Sequence, residues 1–371
     1  MLRYFGLFCL GLLSGLVSRA AFADVTRANP RQVENQVSFI PGKAQRLWDD
    51  YTFNTLATAD LQPGCEPMQF RPELDVPYRG VVILLHGFTS CPKQFSAMAA
   101  SFTSQGYHVL VPVLPGHGRA GKDELAQQFD LPGARSWQKY DAFAHWLNEV
   151  AGAVSHGEIH IGGLCLGGTI AMRSMQLAPR LYERSVLLSP FFEVAQPIVA
   201  AVSRLVGPVS DVVTLSEGFN LPFALSDLET CEQVERKKLG RAGYCRVRLS
   251  NLVGVARFAR FVKEQGRNVF TSLQTVLVDR DPVARPSTTL RLLEADGLSL
   301  STREGTCVMN ASASHSMFSP TDLPQPKPWL KDLHEELAEF ISSGKVLTQT
   351  HTSRYSWPSS KAAVGGCALW P

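Results

Sequence analysis

Apolar runs of strand length recur along the chain, separated by segments whose apolar positions repeat at helical spacing. Residues 81–85, Val-Val-Ile-Leu-Leu, form a continuous apolar run, the pattern of a parallel-sheet strand covered on both faces. Runs of strand length follow at 108–114, 159–161, 185–188, 272–278 and 306–309. Between them, 94–105 and 136–150 read as helices, 169–177 as the start of another, and 329–341 as a closing amphipathic helix. Strand, ordinary helix and strand in succession give a right-handed βαβ unit. Pro112 lies inside the 108–114 run, and a proline withholds a ladder donor, so that strand belongs nearer an edge. Before residue 81 the periodicity is mixed: 33–56 holds one helix with Trp48, and Gln62-Pro63-Gly64 and Glu66-Pro67 mark turns. The stretch 119–132 is mostly polar and reads as an exposed loop. The fold class is α/β, a mostly parallel sheet flanked by helices.

Residues 191–268 interrupt this alternation, with no evident sheet strand. The first part is apolar with helix-length segments, and the second holds Cys231, a charged run at 232–238, and Cys245. An apolar insertion between two sheet strands reads as a lid over a site; ordinary structural helices are the other reading, and the two coexist. The expected organisation is therefore a core in two parts, 79–190 and 269–343, with a lid insertion at 191–268. A leader segment at 24–78 precedes it, and a Ser-, Gly- and Thr-rich surface tail at 344–371 follows.

The extreme N-terminus adds a compartment. Arg3, an apolar run at 4–17 and the small-x-small triplet Ala21-Phe22-Ala23 read as a secretory signal peptide over 1–23, cleaved after Ala23, which implies a periplasmic or secreted protein. Arg19, close to the cleavage site, leaves an uncleaved anchor as the alternative. The chain carries 36 basic and 33 acidic residues, and two of the basic ones, Arg3 and Arg19, lie in that leader. Near-neutral charge without basic clusters argues against nucleic acid as a partner. Of the 8 cysteines, Cys9 also falls in the leader, which leaves an odd number in an oxidising compartment. Cys165 is the natural thiol to stay free. Six remaining cysteines allow about 15 connectivities, which sequence leaves open; the pairing of Cys65 with Cys91, Cys231 with Cys245 and Cys307 with Cys367 is one hypothesis among them.

Cys165 stands out because of its surroundings. Residues 159–161 read as a strand, 162–168 as a tight small-residue turn, and the helix follows at once, so Cys165 sits at the tip of a strand–turn–helix. The pattern Gly163-x-Cys165-x-Gly167 is that of a nucleophile elbow with sulfur in place of the usual serine oxygen, its glycines allowing strand and helix to approach closely. The 81–85 run ends in His86-Gly87-Phe88-Thr89-Ser90, where Gly87 permits a turn that aims the Phe88 N–H at the elbow as an oxyanion donor, beside that of Leu166. His86 reads as a structural histidine holding this loop rather than a metal ligand or base. After the 272–278 run come Asp279 and Asp281; Asp281 is the favoured acid, because Asp281-Pro282-Val283 leads directly out of the strand turn, and Asp279 is its rival. Among the 9 histidines, His315 follows the last strand without lying in the closing helix or the tail, as His334 and His351 do. Cys165, Asp281 and His315 thus follow in the order nucleophile, acid, base, each after a strand of one sheet. No metal site and no cofactor are expected.

Over 81–172 and again over 275–318 the chain resembles the bacterial carboxylesterase and monoacylglycerol lipase group of α/β-hydrolases. The matching segments are His86-Gly87-Phe88-Thr89, Pro115-Gly116-His117-Gly118, the elbow, Asp281-Pro282-Val283 and His315. The resemblance implies the α/β-hydrolase fold and an oxyanion hole at Phe88 and Leu166. The departure is the nucleophile, serine in that group and Cys165 here; the run Cys165-Leu166-Gly167-Gly168 is similar to that of the dienelactone hydrolases and polyhydroxyalkanoate synthases. The implied activity is cleavage of small-molecule carboxylic esters, thioesters or lactones through an acyl-cysteine. Acyl transfer through the same intermediate, and a catalytically idle scaffold kept for binding, are the alternatives. The apolar lid suggests a hydrophobic acyl group and transient contact with a lipid surface.

Overall fold

The computed structural model describes residues 42–121, 126–195, 243–244, 248–266, 269–279, 281–294, 304–309, 315, 329–346 and 368–369. The chain divides into units Met1–Ser38 and Phe39–Pro371, and every described residue belongs to the second. The expected signal peptide lies outside the described residues.

The 81–85 run becomes β2 (Gly80–Leu85), buried at every position. It lies between β3 (Tyr107–Val111) and β4 (Glu158–Leu164), parallel to both. β5 (Arg184–Leu188), β6 (Ser272–Val278) and β7 (Glu304–Met309) continue the parallel sheet. Two short antiparallel strands border it, β1 (Met68–Phe70) against β3 and β8 (Ala368–Leu369) against β7, giving the order β1-β3-β2-β4-β5-β6-β7-β8. β1 makes β3 second from the edge. β3 stops at Val111, so Pro112 stands just outside the strand and removes no ladder bond.

The helices are α1 (Lys43–Thr58), α2 (Ser96–Thr103), α3 (Gln138–Gly152), α4 (Leu166–Leu177), α5 (Leu249–Glu264), α6 (Pro286–Glu294) and α7 (Trp329–Ser343). α2 packs on α7, whereas α1, α3, α4 and α5 pack on one another. Helices therefore cover the parallel strands in two groups, as a sheet hydrophobic on both faces requires.

Three boundaries differ from the sequence expectation. Part of the leader belongs to the fold: β1 joins the sheet, and α1 buries Ala44 and Trp48 and sets the Tyr51 ring against Trp146, tilted, with centroids 4.3 Å apart. A three-residue strand carries too little alternation to be read. The lid assignment at 191–268 includes α5, which packs on α3 and α4 and buries Val253, Phe258 and Val262, so this helix is part of the scaffold. Residues 196–242 of that assignment lie outside the described residues. The described parts of 119–132 are exposed at Gly121, Phe129 and Asp130 but anchored between: Arg119 bridges to Leu61, Gln128 is buried, and Leu131 O accepts from Asn251 Nδ2 at 2.9 Å. Cys65 and Cys91 form a disulfide, and Cys165 is the free thiol among the described side chains. The other two expected pairings involve side chains outside the described ones.

Candidate active site

A single residue joins β4 to α4. Cys165 takes φ 55° and ψ −118°, a conformation that an L residue holds only when its surroundings enforce it. Here they do: its N–H donates to Leu188 O at 3.0 Å, and its carbonyl accepts from Thr169 N–H and Phe191 N–H, each at 3.1 Å. The Thr169 hydroxyl donates to Phe191 O at 2.6 Å, fastening the turn after β5 to the first turn of α4. A Cβ on Gly163 would fall on the Gly167 carbonyl, and one on Gly167 on the Leu85 carbonyl at the end of β2. Both flanking positions are closed to any other residue by backbone, which no rotamer change can relieve. Leu166 opens α4, and the N–H groups of a helix's first turn have no partner within the helix.

The loop after β2 lies alongside. Leu114 N–H donates to His86 Nε2 at 3.0 Å, and this fixes the tautomer: Nε2 accepts, so Nδ1 carries the hydrogen and donates to Gly87 O at 2.9 Å. His86 is fully buried, and burial, aided by the neighbouring His117, holds its pKa well below the usual histidine value. It is a neutral tie between the segment that follows β3 and the loop after β2. Burial lowers the His117 pKa to about 4, so the ring is neutral with one N–H; of its two contacts with carbonyl oxygens, Nε2 to Phe88 O at 2.7 Å is shorter than Nδ1 to Pro115 O at 3.1 Å and is assigned the hydrogen. His117 was in the Pro115-Gly116-His117-Gly118 motif, but its contact with Phe88 crosses from one loop to another and leaves no mark in the sequence. Among the described residues no group of His, Cys, Asp or Glu is arranged to hold a metal ion.

The loop after β6 supplies the carboxylate. Asp281 is buried; its Oδ1 accepts from Val283 N–H at 2.8 Å and Ala284 N–H at 3.1 Å, which leaves Oδ2 for His315 Nδ1 at 2.7 Å. The partner of the imidazole is thus Asp281; Asp279 lies at the end of β6, partly exposed. With Nδ1 committed to Asp281, His315 Nε2 is buried and has no hydrogen-bond partner among the described residues, and Cys165 is the other ionisable neighbour that acts on the ring. Burial opposes a charge on His315, but Asp281 and Cys165 together more than offset it and raise its pKa well above the ordinary value. Burial likewise disfavours the Asp281 charge, and His315 with the Val283 and Ala284 N–H groups holds the carboxyl below its usual range.

The structure therefore brings together Cys165, His315, Asp281 and the Gly87–Phe88 loop at one edge of the sheet, where the strands end. Ser189, at the end of β5 beside the elbow, also has a positive φ of 37°, so two adjacent strands both finish on a strained residue.

Residues 76–321 match the family described as serine aminopeptidase, S33. No curated protein matches the chain. Solved structures with a similar fold include the monoacylglycerol lipase of Paleococcus ferrophilus, 18% identical over 75% of this chain and 98% of that one, with a TM-score of 0.55. A soluble variant of the monoglyceride lipase of Saccharomyces cerevisiae, solved with a substrate analogue, is 14% identical over 74% of this chain and 90% of its own, with a TM-score of 0.54. The thermostable carboxyl esterase of Bacillus coagulans, solved with glycerol, is 12% identical over 74% and 93%, with a TM-score of 0.52. These likenesses establish the α/β-hydrolase fold.

Proposed function

The chain belongs to the serine aminopeptidase S33 family of α/β-hydrolases, and from that premise we propose that it hydrolyses carboxylic esters, thioesters or lactones of hydrophobic acyl groups, with Cys165 as nucleophile. The observation that carries the reading is the imidazole of His315, tied through Nδ1 to the buried Asp281 at 2.7 Å, with Cys165 among the groups that act on the ring.

In the proposed reaction the Cys165 proton already rests on His315, which holds the sulfur as a thiolate–imidazolium pair, and Asp281 orients the ring and stabilises the imidazolium. The sulfur attacks the acyl carbon, and the N–H groups of Phe88 and Leu166 stabilise the oxyanion. The carbon–oxygen bond to the leaving group breaks and the imidazolium protonates the departing alkoxide, which leaves a thioester on Cys165. Water then attacks, giving its proton to the now neutral His315, and the adduct expels the thiolate, releasing the acid and restoring the thiolate–imidazolium pair. Sulfur favours esters over the peptides that the family's name suggests. A thiolate is a better leaving group than an amine, so a tetrahedral adduct with an amide tends to return to reactants.

Intact mass after brief exposure to a short-chain and a medium-chain p-nitrophenyl ester tests Cys165 directly. Acyl-enzyme that maps to Cys165 and turnover that is lost in Cys165→Ala are the expected results. No acylation and no turnover would favour the idle binding scaffold instead. Acyl-enzyme that clears faster with added alcohol than in water would make the protein a transferase. Export through the N-terminal leader belongs to the same proposal, and the N-terminal residue of protein recovered from the producing cells tests it.

A further inference from the structure

The oxyanion donor proposed on Phe88 can work only if the Gly87–Phe88 peptide is held in one orientation. A peptide unit is planar and trans, so the Phe88 N–H points opposite to the Gly87 carbonyl. That carbonyl is fixed by His86 Nδ1–H at 2.9 Å and Ser90 N–H at 3.1 Å. The preceding peptide is fixed as well: Gly87 N–H donates to the side-chain Oε1 of Gln94 at 2.9 Å. Gln94 is 4% exposed. A Cβ built on Gly87 would have Gln94 Oε1 at 3.6 Å and Cys165 Cβ at 3.7 Å, so the Gly87 backbone fills the space between the carboxamide and the nucleophile.

Gln94 is anchored in turn. It lies on a short 3₁₀ turn, Pro92–Phe95, and its own N–H donates to Cys91 O at 3.0 Å. Cys91 is bridged to Cys65, both fully buried, and Lys93 N–H donates to Gly64 O at 3.1 Å. The disulfide and this backbone bond fasten the turn that carries Gln94 to residues 64–65. The chain of contacts runs from Cys65–Cys91 to the 3₁₀ turn, to the Gln94 carboxamide, and to the backbone of the oxyanion loop.

We infer that Gln94 is a positioning residue for the oxyanion hole, its carboxamide oxygen setting the Gly87 backbone so that the Phe88 N–H meets the developing oxyanion, and that the Cys65–Cys91 disulfide holds Gln94 in place. This rests on Cys165 being an acylated nucleophile. The inference predicts a specific split. Acylation of Cys165 by an ester passes through a tetrahedral oxyanion. Alkylation by iodoacetamide displaces iodide at a saturated carbon and forms no oxyanion, so it reports the nucleophile alone.

The experiment measures both rates at Cys165 by peptide mass mapping, with p-nitrophenyl acetate and with iodoacetamide. Gln94→Met keeps the volume and removes the acceptor. It should slow acylation about 10- to 100-fold and leave alkylation within about twofold of wild type. Gln94→Glu, which keeps an acceptor oxygen in the same place, should acylate far faster than Gln94→Met. If Gln94→Met fails to fold, Gln94→Asn, whose oxygen no longer reaches Gly87, carries the same expectation. Removing the disulfide in Cys65→Ala/Cys91→Ala should give a smaller loss with the same split. Wild-type acylation in Gln94→Met, or acylation and alkylation falling in parallel, would overturn the inference and leave the Cys165 reading intact. Alkylation of wild-type Cys165 without acylation by the ester would overturn both.

Discussion

At the scale of single residues the site is decided by which atoms are already occupied. Asp281 spends Oδ1 on two backbone N–H groups of its own loop and keeps Oδ2 for the imidazole. That arrangement fixes the ring's position and its tautomer together, and Asp279, at the end of β6, does not share it. Asp281→Asn should therefore lower kcat/KM toward a p-nitrophenyl ester about 10³- to 10⁴-fold, because an amide in that position favours the wrong tautomer. Asp279→Asn should stay within about threefold of wild type, as substitutions outside the machinery do. Steady-state kinetics of the two variants check this, and the opposite ranking would move the acid to Asp279. The same logic makes Gly167 intolerant: its missing Cβ is where the Leu85 carbonyl sits. The strand-end positions of Cys165, Asp281 and His315 were legible in the sequence because each follows an apolar run that marks a strand. Gln94 and His117 were not, because each acts on the backbone of a loop that only the folded sheet brings within reach.

Among the elements, α5 shows what a sequence pattern can and cannot separate. Its apolar residues have the spacing of any amphipathic helix, and that spacing is the same whether the partner is a substrate cleft or another helix. The structure puts Phe258, fully buried, against the rings of Tyr140 at 5.5 Å and Trp137 at 6.4 Å. Gln176 Nε2 of α4 caps the far end by donating to Val262 O at 2.9 Å. A helix held in this way is scaffold. Phe258→Ala should cost about 3–5 kcal/mol of stability, seen as a lower midpoint in urea. The esterase kinetics of the fraction that remains folded should be unchanged. A variant as stable as wild type but altered in KM would assign α5 to a lid after all. The parallel strands were readable as elements because most of their positions are apolar and buried, and β6 was read residue for residue; β4 was read only at 159–161, because the glycines that continue the strand to Leu164 have the composition of a turn. The border strands β1 and β8, three and two residues long, were not, since their strand character comes from the neighbour they pair with.

For the whole molecule the dominant electrostatic feature is a set of buried histidines kept neutral. His86, His108, His117 and His160 are all fully or almost fully buried, and burial lowers the pKa of each, to about 4 for His108 and His117. In the unfolded chain these groups titrate near 6.5. Below that pH the unfolded state takes up protons that the folded state refuses, so stability falls as pH falls. Each such histidine contributes about 1.4 kcal/mol per pH unit until its folded pKa is reached. His315 works in the opposite direction: its pKa is raised in the folded state, so its stabilisation is complete below 6.5 and is lost as pH rises toward the folded value. Between 6.5 and 4 it is protonated in both states and offsets nothing. The carboxylates Asp281 and Glu158, the latter lowered to about 2 chiefly by its hydrogen bond from His160, lose their contribution only at more acidic pH. Stability should therefore peak near neutral pH, drop steeply toward pH 4.5 and decline more gently above pH 7. Thermal melts from pH 4.5 to 9 measure this directly. The alkaline decline should flatten in Asp281→Asn, which removes the partner that raises His315, while the acid limb stays as steep as in wild type. A melting temperature that held constant or rose between pH 6.5 and 4.5 would mean that the buried histidines accept protons in the folded state, and the neutral tie assigned to His86 between the segment that follows β3 and the oxyanion loop would have to be abandoned.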